Sequence, residues 1–72
     1  MAVLPARKQR DPERSRERLL LAGARLFAER GPDAVSVAMI AREARLNRRM
    51  IYHYFRSKEG LYEAVVRRAY DQ

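Results

Sequence analysis

The chain predicts an all-α fold, a small helical bundle in which a homeodomain-like three-helix core carries a helix-turn-helix and leads into the start of a fourth helix. Three observations predict it. Apolar residues recur at steps of three and four in four separate segments, which lines each set along one face of a helix. Breaking and capping residues, namely Gly31-Pro32, Ser36, Asn47 and Ser57, fall between those segments. Only about three residues join the second segment to the third, and so short a link forces the steep crossing of a helix-turn-helix.

The elements follow in order. Residues 1–12 hold Pro5, Pro12 and three basic side chains without sustained periodicity, and are expected to form a flexible basic arm. Such an arm is either an unstructured tail or a segment that settles on phosphates or in a minor groove. From Glu13 to Arg30, the positions Leu19, Leu20, Gly23, Ala24, Leu26 and Phe27 make one helical face. Glu13 and Glu17 in the first turns and Arg30 in the last match the helix dipole, and Gly31-Pro32 stops the element. Leu21 falls off the stripe and is expected on the surface. Ser36 is a candidate N-cap for a second helix over 37–44, whose inner set is Val37, Ile40, Ala41 and Ala44. Asn47 caps a third helix through Phe55, with Ile51 and Phe55 inward. Ser57 caps a fourth from Lys58, with Leu61, Tyr62, Val65, Val66 and Ala69 as its apolar stripe.

Composition narrows the function classes. A chain of 72 residues holds one small domain with a limited core. Sixteen bases against nine acids leave a net charge of +7, and fourteen of the bases are arginine, whose forked donors suit phosphates and guanine edges. The implied partner is a polyanion. An acidic membrane surface would attract the same charge, but no stretch approaches the roughly 18 apolar residues of a span. The bases also cluster at the chain start and on the third helix rather than along one amphipathic face. Without a signal-like apolar run or any cysteine, a cytoplasmic protein is expected. A single histidine and no convergent carboxylate pair leave too few groups for catalysis or for a metal site, so neither an enzyme nor a cofactor is expected.

Double-stranded DNA is the polyanion that the third helix fits. A helix in the major groove needs long donors near its N-terminal end, where Arg48 and Arg49 stand; bases there oppose the helix dipole and call for a compensating role. Tyr52, His53, Tyr54 and Phe55 cannot all be buried on one side of a helix. Phe55 and part of Tyr52 are expected inward, with Tyr52 and Tyr54 hydroxyls available to phosphates, while His53 reads as a bystander. Lys58, with the free N–H groups of the fourth helix's first turn, is either a phosphate site or a solvated lysine. Ser36 is an N-cap that can also meet a phosphate, and Arg42 and Arg45 add field. The competing use of the fourth helix's apolar stripe is to dock a protein partner.

The runs Leu26-Phe-Ala-Glu-Arg-Gly31, Ser36-Val-Ala-Met-Ile-Ala41 and Ile51-Tyr-His-Tyr-Phe-Arg-Ser-Lys-Glu-Gly-Leu61 resemble the N-terminal DNA-binding domain of TetR-family transcriptional regulators over about residues 16–66. The resemblance implies a homodimeric repressor on a palindromic operator, with a C-terminal helical domain that dimerises and binds a small-molecule effector. It implies base contacts for Arg48, Arg49 and Met50, backbone or base contacts for Tyr52 and Tyr54, and phosphate contacts for Ser36 and Lys58. The recognition helix would be about 48–55. Residues 13–72 would then be the DNA-binding domain with the regulatory domain absent, and alone it is expected to be a monomer or weak dimer. The chain departs from the family pattern at Arg45, where glycine is usual and a left-handed backbone would strain arginine. It departs again at Arg49-Met50, where two small residues are common.

Overall fold

The computed structural model describes residues 12–71; the expected arm lies outside them save for Pro12. Four helices follow one another: α1 (Pro12–Arg30), α2 (Val37–Ala44), α3 (Arg49–Phe55) and α4 (Lys58–Asp71). Pro12 belongs to α1 and not to the arm. Its missing N–H costs nothing in a first turn, where that donor has no helical partner.

Leu19 of α1, Ile40 of α2, Ile51 of α3 and Leu61 of α4 are each 0 % exposed, so every helix contributes one fully enclosed side chain to the point where all four meet. Leu20, Leu26, Phe27, Ala41, Ala44 and Phe55 close around them. Burying a side chain of this kind is worth about 1.5–3 kcal/mol. Helix α1 packs against each of the other helices. Of the α4 stripe only Leu61 is buried. Tyr62 lies outside it, its ring edge on to Phe27 at 5.1 Å between centroids.

The connections carry the local strain. Gly31 stops α1 at φ 81°, a conformation glycine takes without penalty, and a 3-10 turn over Pro32–Ala34 follows and feeds Val35 into the core. Four residues join α2 to α3, and Arg45 among them adopts φ 60°, ψ 43°, the left-handed conformation expected at that turn. Arg56, between α3 and α4, is at φ 76°, ψ −34°. A non-glycine residue held in either conformation costs on the order of 1–3 kcal/mol. The same α3–α4 turn presses the Phe55 carbonyl against Gly60, where a Cβ would overlap it.

Candidate nucleic-acid interface

Two caps place the ends of the helix-turn-helix. The Met39 N–H donates to Ser36 Oγ at 3.1 Å, so Ser36 is the N-cap of α2. The Arg49 N–H donates to Asn47 Oδ1 at 2.8 Å, which satisfies one of the donors left open at the start of α3. From the other side, Arg18 Nη2 of α1 donates to the Ala44 carbonyl at 2.6 Å and closes the end of α2. That contact spans 26 residues and has no local signature in the sequence.

Arg56 is exposed just past the end of α3, and with Ile51 and Phe55 buried the helix itself turns Arg49, Tyr52 and His53 outward. These positions are three and four apart, one stripe of a helix. Arg48 is exposed just before them. No carboxylate lies between Glu43 and Glu59, whereas Arg45, Arg48, Arg49, Arg56 and Lys58 do. The side chains of Arg45, Arg48, Arg49 and Arg56 have no hydrogen-bond or ion-pair partner among the described residues.

Three of the other arginines are in ion pairs. Arg25 meets Glu43 at 2.9 Å and Glu29 at 3.4 Å, and Arg67 meets Glu63 at 3.5 Å. Arg68 of α4 donates to Glu17 of α1 at 2.6 Å. That hydrogen bond holds the Glu17 carboxyl below the usual carboxylate range and raises Arg68 in turn. Positive charge is therefore left unopposed on and beside α3.

Three expectations need correction. Tyr52 is 51 % exposed and does not share the core. Tyr54 takes the half-buried place instead, with its ring edge toward Phe55, because position 54 follows 51 by one helical step of three. Met50, beside them, is half-buried against the core. Lys58 does not stand free over the first turn of α4: its Nζ donates to the Pro32 carbonyl at 2.9 Å, pinning α4 to the 3-10 turn. The first turn of α4 is capped by Ser57, whose Oγ accepts from the Gly60 N–H at 3.0 Å.

On the opposite side, α1 and α4 leave an open groove of about 340 Å³ lined by Leu20, Leu21, Ala24, Val65 and Ala69 together with the Glu17–Arg68 pair. Leu21, off the stripe as expected, is 58 % exposed there. No group of acidic or histidine side chains among the described residues is disposed to hold a metal ion. No helix among them is long and apolar enough to cross a membrane.

This architecture and this sequence recur together. The family model for bacterial regulatory proteins of the tetR family matches residues 19–65, which takes in part of α1, all of α2 and α3 and half of α4. The chain belongs to the TetR family. Among TetR-family relatives it is 41 % identical over 56 residues to the HTH-type transcriptional repressor KstR2 of Mycolicibacterium smegmatis, covering 78 % of this chain and 27 % of that protein. It is 36 % identical over 58 residues to the repressor NicS of Pseudomonas putida, covering 81 % and 27 %. The crystal structure of HlyIIR, a hemolysin II transcriptional regulator, superposes with a TM-score of 0.73 at 40 % identity, over 76 % of this chain and 31 % of that one. The chain thus spans about a quarter to a third of the length of the relatives it matches. Those relatives are transcriptional regulators and not enzymes.

The exposed Arg48 and Arg49 and the TetR-type turn were readable in the sequence, whereas the places of Tyr52 and Tyr54 were not. Nor was Arg56: nothing in its neighbours announces a positive φ, and it emerges only once the α3–α4 turn is seen.

Proposed function

We propose that this TetR-family domain binds double-stranded DNA sequence-specifically, within a transcriptional regulator that acts as a repressor, by laying residues 48–55 in the major groove. The observation that carries the proposal is the set of partner-free arginines on and beside α3, placed in a stretch without carboxylates, whereas Arg67 and Arg68 of α4 are held in ion pairs with Glu63 and Glu17. Arg48 and Arg49, at the N-terminal end of the helix, are in reach of base edges, where a bidentate contact to guanine discriminates by about 1–3 kcal/mol. Tyr52 presents its ring and hydroxyl to groove or backbone. Met50 and Tyr54, half-buried, support the reading face and touch DNA only with their outer atoms. Ser36 donates its hydroxyl proton to a phosphate while its lone pair caps α2. Lys58 adds charge at the backbone while tied to Pro32.

The parent protein would act as a homodimer on a palindromic operator, since two half-sites one helical turn apart require two reading helices. Repression is supported by the similarity to KstR2 and NicS, both transcriptional repressors. The test is selection of bound duplexes from a randomised pool, followed by titration of the enriched sequence against Arg49→Ala. The expected result is an enriched motif whose advantage over unrelated DNA falls by roughly 1–3 kcal/mol in the variant. Equal retention of all sequences would overturn specific binding and leave charge-driven binding only.

A further inference from the structure

We infer that Arg56 is a DNA-backbone contact, and that it, more than Lys58, supplies the free cation at the C-terminal end of the reading helix. The inference rests on the DNA-binding reading above and adds a residue to it. Two independent observations carry it. First, the Arg56 N–H still donates to the Tyr52 carbonyl at 3.0 Å, so its Cα closes the last turn of α3, and its side chain is exposed at that end of the helix. Its guanidinium takes no partner among the described residues. Second, the ammonium of Lys58, two residues on, is occupied by the Pro32 carbonyl at 2.9 Å. A phosphate at this end of α3 meets a free guanidinium before it meets a free ammonium.

The backbone of Arg56 bears on the same point. At φ 76° a glycine would sit with less strain, yet the position holds the side chain best suited to fork onto phosphate oxygens. A contact of that kind positions the helix without reading bases, so its loss should weaken all sequences alike.

The test compares the full chain with Arg56→Gly, Arg56→Lys and Lys58→Gln, measuring the affinity for one duplex between low and moderate salt together with thermal unfolding. Arg56→Gly should melt no lower than the parent. It should flatten the slope of log affinity against log salt by about 0.9, the share of one phosphate, which at 0.1 M salt is about an eightfold loss. Arg56→Lys should keep the slope, and the ratio between specific and unrelated duplexes should hold in both variants. An unchanged slope in Arg56→Gly, with the slope falling in Lys58→Gln instead, would overturn the assignment while leaving DNA binding intact. Failure of the parent chain to retain any duplex at low salt would overturn the DNA-binding reading and this inference with it.

Discussion

At Arg45, a single dihedral angle decides between stability and charge. The turn from α2 to α3 needs a left-handed residue, and the N–H of Arg45 bonds back to the Ala41 and Arg42 carbonyls in closing α2. Arginine pays a steric penalty of about 1–2 kcal/mol there, which glycine avoids at some entropic cost in the unfolded chain. Arg45→Gly is therefore expected to raise stability by roughly 0.5–1 kcal/mol, measurable by denaturant titration, even as it removes an exposed positive charge. A lower midpoint would mean that the arginine side chain contributes packing. This left-handed turn was legible beforehand through the family resemblance, in which glycine is usual at this position. The positive φ of Arg56 was not, since the demand arises from how α4 folds back on α3. Tyr52 and Tyr54 show the same limit: four rings in a row could not all be inside, but which of them faces in depends on the rotation of α3 about Ile51.

Among the elements, α4 depends most on contacts distant in sequence. Its start is held by Ser57 and by Lys58 reaching Pro32, and its far half by Arg68 on Glu17, 51 residues away in the chain. At its first turn, Gly60 leaves room for the Phe55 carbonyl. Gly60→Ala should displace the α3–α4 turn and cost about 1–3 kcal/mol, read as a drop in the unfolding midpoint; an unchanged midpoint would show that the turn relaxes freely. The Glu17–Arg68 pair gives a pH signature. Because the carboxyl titrates lower when folded than when unfolded, the pair stabilises above the ordinary carboxylate range, and that contribution is lost as pH falls through the folded value. The pair is largely solvated, so the effect should be modest. Relative to Glu17→Gln, the parent is expected to be the more stable at pH 7, with the difference vanishing in acid; a gap that persists at low pH would assign it to packing instead.

For the whole molecule, the division of charge is the governing feature. Carboxylates pair with Arg25 of α1 and with Arg67 and Arg68 of α4, while Arg45, Arg48, Arg49, Arg56 and Lys58 fall in a stretch of a +7 chain that holds no carboxylate. Affinity for DNA should consequently fall steeply with salt. Within the described residues the helices enclose one core and leave the α1–α4 groove open. This chain is expected to sediment as a monomer at micromolar concentration without DNA and to pair only on a duplex carrying both half-sites. A stable dimer in free solution would contradict that and place dimer contacts within these residues.

The sequence by itself determined the helix count, the bounds of α2, the caps at Ser36, Asn47 and Ser57, and the arginines that crown α3. Those are local matters: periodicity, capping chemistry and turn length act over a few residues, and the family match rests on the same short runs. Only the tertiary structure decided that Lys58 is spoken for by Pro32, that Tyr54 rather than Tyr52 leans on the core, that Arg18 closes α2 and that Arg56 follows α3 at a positive φ. Each of these depends on groups brought together across a helix turn or across the chain, where packing around one shared core sets which donor meets which acceptor.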